Sequence, residues 1–224
     1  MSIALSRLLL AAGIGLAGIA NAAVTFVDLG TVAPPATLGS CAASAFSQVA
    51  QAAVSNGTSV TSVPGGPSGT TLALTSGMTK AAIGSGWATW SHGYTGAVYW
   101  AAGLSQTVTL PPGAQCFYLY VEPNNNGSFN ITVTPSTGAA VTRPVTGSSG
   151  AYGYGFYATG ENLLSVTVDA AAGSGGFAIG EFGLGLPPAP GFATPVPATG
   201  TEALVLLFLL LTGAAALVLR GRRH

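Results

Sequence analysis

The stretch Cys116–Pro135, CFYLYVEPNNNGSFNITVTP, decides the fold. Phe117, Leu119 and Val121 alternate with Tyr118, Tyr120 and Glu122, so a strand here sends one bulky set to each face of its sheet. A strand that is bulky on both faces belongs in the middle of a sheet. Phe129–Thr134 repeats the alternation, and Pro123-Asn124-Asn125-Asn126-Gly127 between the two runs reads as a hairpin turn, because Asn and Gly tolerate positive φ. The asparagines could also ligate calcium, but no carboxylate alternates with them as a calcium loop requires.

Outward from this pair, short β candidates recur at a spacing of about ten residues, separated by Gly and Pro. They are Val24–Leu29, Thr58–Val63, Thr70–Thr75, Ala97–Trp100, Thr107–Leu110, Ala140–Thr146, Gly153–Ala158, Leu164–Asp169 and Phe177–Phe182. This spacing predicts an all-β, antiparallel, jelly-roll-like β-sandwich. One helix is expected near its N-terminus, over Cys41–Gly57, where Phe46, Val49, Ala50 and Ala53 have helical spacing; a strand-and-turn segment is the alternative.

The chain has 224 residues, of which only 5% are charged. Recurrent β-branched and aromatic residues separate it from disordered chains of similar Gly and Ser content. Between residues 23 and 194, Asp28, Glu122, Glu161, Asp169 and Glu181 stand against Lys80 and Arg143, a net charge of −3. Nucleic acid is therefore disfavoured as a partner and none is expected, since its affinity comes largely from Lys and Arg on phosphates.

Both ends read as address labels. Residues 1–22 pair Arg7 and an apolar run with small residues at Ala20 and Ala22, the form of a secretory signal peptide; an uncleaved N-terminal anchor is the alternative. Residues 23–183 form the exported domain, and 184–202 are a Pro-rich linker ending in Val196-Pro197-Ala198-Thr199-Gly200. The uncharged run 203–219 reaches about 26 Å as a helix, enough for a slightly thin bilayer core. Arg220, Arg222 and Arg223 in the tail 220–224 are a basic stop that stays on the cytoplasmic side. These segments place the chain at the inner membrane facing the periplasm. Export makes Cys41 and Cys116 candidates for a disulfide, with two free buried thiols as the alternative.

Chemistry-bearing motifs are few. The aromatic run Trp87–Trp100, WATWSHGYTGAVYW, offers Trp87, Trp90, His92 and Tyr94 as a patch that could contact polysaccharide or simply pack. In GAYGYGFYATG, Gly150–Gly160, the rings of Tyr152, Tyr154 and Phe156 leave a bare face at Gly153 and Gly155, open to a ligand, a strand or a loop. Glu122, Glu161, Asp169 and Glu181 could serve a glycosidase only if the fold paired two of them. No nucleophile, metal or phosphate-binding motif is present in the sequence, so neither a catalytic residue, a cofactor nor a metal is expected.

The motif, apolar run and arginines of the tail resemble the C-terminal sorting segments of the PEP-CTERM and IPTL-CTERM kind on exported proteins of Gram-negative bacteria. Pro-Glu-Pro is absent, and Ala-Thr follows Pro197 where Thr-Leu would stand. Val196–Gly200 also resembles the sortase motif Leu-Pro-x-Thr-Gly, with Val in place of Leu. The segments WATWSHGYTG, FYLYVEP, GFYATG and FAIGEFG are similar to a module carried by such exported proteins. The resemblances imply a β-sandwich with a structural or adhesive role, a sorting protease or transpeptidase as partner, and release to the surface or an extracellular matrix after processing. A carbohydrate-binding module and a glycan-active enzyme are the competing expectations.

Overall fold

A computed structural model describes residues 23–39, 41, 47–48, 53–64 and 69–186. The signal peptide, the sorting motif Val196–Gly200, the run 203–219 and Arg220, Arg222 and Arg223 lie outside them. Among the described residues no helix is long and apolar enough to cross a membrane.

The strands are β1 (Ala23–Gly30), β2 (Ser47–Gln48), β3 (Ser59–Pro64), β4 (Thr71–Ile83), β5 (Gly86–Trp87), β6 (Ala97–Ala101), β7 (Ser105–Thr109), β8 (Cys116–Pro123), β9 (Ser128–Pro135), β10 (Val141–Thr146), β11 (Tyr152–Thr159), β12 (Ser165–Ala170) and β13 (Phe177–Gly185). They form one sheet in the order β1-β11-β8-β13-β6-β4-β7-β12-β9-β10, with β2 on β13 and β3 and β5 on β4. All pairings are antiparallel except β4 with β5.

The sheet folds over on itself around one core, giving a sandwich- or barrel-like all-β domain. Strand β4 makes the corner: Ala73 and Leu74 pair with β7, while Thr79 to Ala81 pair with β6. The core takes Phe117, Leu119 and Val121 from β8, Tyr154 and Phe156 from β11, Ile131 and Val133 from β9, and Val166 and Val168 from β12. Across this core, the Tyr154 hydroxyl donates to the Ile131 carbonyl at 3.2 Å. At the rim, the Arg143 guanidinium of β10 donates to Asp28 of β1 at 3.0 Å and lies over the Phe26 ring at 5.3 Å. The two ends of the strand order therefore meet.

Strand β8 lies between β11 and β13 and is buried along its whole length, as its two bulky faces predict. The turn after it is not a hairpin. Strand β9 pairs with β10 and β12 instead of β8, so Asn124–Gly127 carries the chain from one half of the sheet to the other. Its asparagines act there as cross-links. The Asn124 side-chain amide donates to Gly175 O at 3.2 Å, that of Asn125 donates to Gly173 O at 2.9 Å, and both backbone N–H groups donate to the same loop. Asn and Gly suit any tight reversal, so their chemistry announces a turn without fixing which strands it joins.

Cys41–Gly57, the segment expected to be helical, lies partly outside the described residues. Within it, Ser47 and Gln48 form β2 against Leu184 and Gly183 of β13. Hydrogen bonding to an open sheet edge there overrides a helical spacing built mainly from alanines.

Candidate functional site

The outer face of the β1-β11-β8-β13-β6 half carries the unusual chemistry. On β8, Tyr118 and Tyr120 point outward, each between glycines in register on both neighbouring strands. Tyr118 lies opposite Gly155 and Gly183, and Tyr120 lies opposite Gly153 and Gly180. The rings cover two of these bare positions: a Cβ at Gly153 would sit 2.6 Å from the Tyr120 ring, and one at Gly183 would overlap the Tyr118 ring, whereas Gly180 is met by Val98, Ala97 and Trp90. The bare face of β11 thus receives packing. Besides Tyr120 it accepts Leu29 beside Gly153 and Leu38 beside Gly155.

Two straps cover this face. The first, residues 31–39 with Cys41, brings Leu38 and Cys41 onto Cys116, Tyr118 and Tyr120 as a small second core. Cys41 and Cys116 are joined by a disulfide, with Cα atoms 6.3 Å apart. The Tyr120 hydroxyl donates to Val32 O at 2.6 Å, fixing the start of the same strap.

The second strap is the loop from Gly84 to Gly96, which carries Trp87, Trp90, His92 and Tyr94. It is fastened by two buried carboxylates. The Trp87 indole N–H donates to Glu122 Oε2 at 2.6 Å, and the Thr89 hydroxyl donates to Oε1 at 2.6 Å. The Trp90 indole N–H donates to Glu181 Oε2 at 3.1 Å, and His92 Nε2 lies 2.7 Å from Oε1. Every carboxylate oxygen of the pair is engaged by the strap.

Glu181 reaches this face because of a β-bulge. Phe177 and Ile179 of β13 face the core, so a regular strand would turn residue 181 inward as well. The register instead slips between Gly180 and Gly183, after which Phe182 and Leu184 take the inward positions. The extra residue leaves Glu181 outward at φ 50°, a left-handed conformation uncommon for a residue with a side chain. Its partner His92 is left-handed too, at φ 42°.

Burial raises the Glu122 carboxyl above its ordinary value, against the hydrogen bonds from Thr89, Trp87 and the Gly150 N–H. Burial likewise raises Glu181, against His92 and Trp90. Desolvation and the nearby Glu181 charge push the hydroxyls of Tyr118 and Tyr120 well above the usual tyrosine range.

The four aromatic and histidine candidates therefore lie together, but as fastenings of one loop rather than an open platform. Trp87 is 9% exposed, the His92 side chain is 12% exposed, and Trp90 packs on Tyr94 with ring centroids 6.0 Å apart. Of the four acidic candidates, Glu122 and Glu181 share this face. Asp169 is on β12 in the other half of the sheet, and Glu161 is in the turn before β12. Thr89 is a site residue that the sequence did not single out. Its only signal is its position two residues after Trp87 in the aromatic run.

Beside Trp87 the surface opens into a groove of about 460 Å³, lined by the 84–89 segment, Asn124, Asn126 and Gly147. Among the described residues no group of three or more His, Cys, Asp or Glu side chains could hold a metal ion. No protein-family model matches the chain, and no curated protein matches it.

Proposed function

We propose that the chain is an exported cell-envelope protein with a structural or adhesive role, held by its C-terminal segment until a sorting enzyme cuts near Val196–Gly200. The strand order, with β7 to β13 passing repeatedly between the two halves of the sheet, favours a jelly-roll-like sandwich for its domain.

The observation that carries the non-catalytic part is the use made of Glu122 and Glu181. A hydrolytic pair needs one carboxylate free to take or give a proton and another free to attack or activate water. Here all four oxygens accept hydrogen bonds from Trp87, Thr89, Trp90 and His92, an arrangement that suits fastening. The Cys41–Cys116 disulfide supports export, because such bonds persist in oxidising compartments.

Expression of the full chain in a Gram-negative host, with fractionation and intact-mass analysis, tests the proposal. The mature protein is expected in the envelope or medium, oxidised, and lacking both residues 1–22 and the segment after the sorting motif. A reduced cytoplasmic protein would overturn export, and retention of 203–224 would reduce the tail to a permanent anchor.

A further inference from the structure

We propose that Asn126 is a site of spontaneous covalent modification: it loses its side-chain amide through a succinimide formed with the backbone nitrogen of Gly127, leaving aspartate and isoaspartate in the turn between β8 and β9. Neither export nor the adhesive reading enters the argument.

The chemistry needs only water as co-reactant. The deprotonated Gly127 nitrogen attacks Cγ of Asn126, the new N–C bond closes the succinimide ring, and the side-chain nitrogen takes up a proton and leaves as ammonia. Water then adds to one of the two ring carbonyls and opens the ring. One opening gives aspartate; the other gives isoaspartate, whose backbone runs through the former side chain. The rate depends on access to the backbone nitrogen, which is best when the next residue is glycine, and on both reacting groups being free of hydrogen bonds.

The sequence holds two Asn-Gly pairs, and the fold treats them differently. At the first, the Gly57 N–H donates to Lys80 O at 2.8 Å and the Asn56 side-chain amide donates to Ser85 Oγ at 3.3 Å. Nucleophile and leaving group are both engaged. At the second, Asn126 and Gly127 are exposed, and among the described residues neither the Asn126 amide nor the Gly127 N–H has a hydrogen-bond partner. The turn is held instead through Gly127 O, which accepts from the Gly147 N–H at 3.0 Å. Gly127 lies at φ 126°, where a side chain is strained, so the turn keeps the residue that hinders attack least.

The other described asparagines are protected by their surroundings. Attack on Asn124 would use the Asn125 N–H, which donates to Ser174 O at 2.8 Å, and attack on Asn162 would use the Leu163 N–H, which donates to Ala114 O at 2.7 Å. The Asn125 amide is itself held by Gly173 O at 2.9 Å, and Asn130 precedes the fully buried, β-branched Ile131. Modification at Asn126 places a carboxylate on the groove beside Trp87, whose lining carries no charged side chain. The isoaspartate form also lengthens the backbone where the chain crosses between the two halves of the sheet.

The test incubates the full chain, solubilised in mild detergent, in mildly alkaline buffer, native and unfolded in urea. Peptide mapping by mass spectrometry follows the exchange of NH2 for OH at each asparagine, and enzymatic methylation counts isoaspartate. In urea, Asn56 and Asn126 should react at similar rates. In the native chain Asn126 should keep its unfolded rate, while Asn56 is slowed on the order of tenfold by its two hydrogen bonds. Asn126→Gln, which alters an exposed side chain, should remove the native isoaspartate signal. A native rate at Asn126 no faster than that at Asn56, or an isoaspartate signal that survives Asn126→Gln, would overturn the proposal.

Discussion

His92 Nε2 and Glu181 Oε1 lie 2.7 Å apart, and both residues hold left-handed backbone, at φ 42° and 50°. Each conformation is costly for a residue with a Cβ, and the contact that joins them also closes the strap over Tyr120, whose ring centroid lies 5.0 Å from that of His92. Strain and hydrogen bonding at Glu181 can be separated by two substitutions. Glu181→Ala should destabilise by about 3 kcal/mol, since it strands the Trp90 N–H and His92 while keeping the strained backbone. Glu181→Gly should recover about 1 kcal/mol of that loss. Chemical denaturation of both variants checks the difference, and equal losses would show that the left-handed backbone carries no strain.

The two buried carboxylates give the domain a pH dependence of definite sign. Glu122 and Glu181 are raised by burial from 4.5, so each binds its proton more tightly folded than unfolded. Their contribution is full below that value and is lost as pH rises through the raised folded values. Asp28 runs the other way. Burial opposes its ionisation, but hydrogen bonds from Tyr152, Arg143 and the Gly30 N–H outweigh it and lower the carboxyl below 3.8. Its contribution is present above 3.8 and lost as pH falls through the depressed value. Thermal midpoints measured from about pH 4 to pH 8 should decline toward the alkaline end, and Glu122→Gln should flatten the decline. An identical slope in the variant would exclude Glu122 as its source.

Much of this arrangement is legible in the sequence. The alternation in FYLYVE marks β8 as central, and the bare face at Gly153 and Gly155 announces a close approach, which Tyr120, Leu29 and Leu38 supply. Other features leave weaker marks. Strand β4 runs on through Ser76-Gly77 to Ile83, although that dipeptide looks like a turn; the register with β3 slips between Val60 and Ser62, opposite this stretch. The slip that turns Glu181 outward leaves only FAIGEFGLG, which reads as well in an unbroken strand. The partners of β8 and β9 are settled by long-range packing, to which an Asn-Gly turn is indifferent.

The disulfide closes a separation of 75 residues and clips the first strap to β8. Replacing both cysteines by alanine should cost about 4 kcal/mol in the chain-entropy account. Amide exchange should accelerate first at Leu38 and Cys41, whose N–H groups bond each other's carbonyls at 3.3 and 3.0 Å. Uniform acceleration across the sheet would instead indicate that the bond acts only on global stability.

Gly153 and Gly183, which lie against the tyrosine rings, should tolerate no methyl group. Gly183→Ala drives a Cβ into the Tyr118 ring and should cost about 3 kcal/mol or prevent folding. Gly103→Ala meets nothing within 4 Å and should change stability by less than about 0.5 kcal/mol. Thermal melts of the pair compare them directly.

The account turns on Glu122 as a fastening for the aromatic strap, and a double-mutant cycle tests this most directly. Stability is measured for the parent chain, Trp87→Phe, Glu122→Leu and the combination. The 2.6 Å bond from indole N–H to carboxylate predicts a coupling of about 1.5–3 kcal/mol in favour of the parent pair. A coupling near zero would contradict the account, leaving Glu122 a buried carboxylate with a task other than holding the loop.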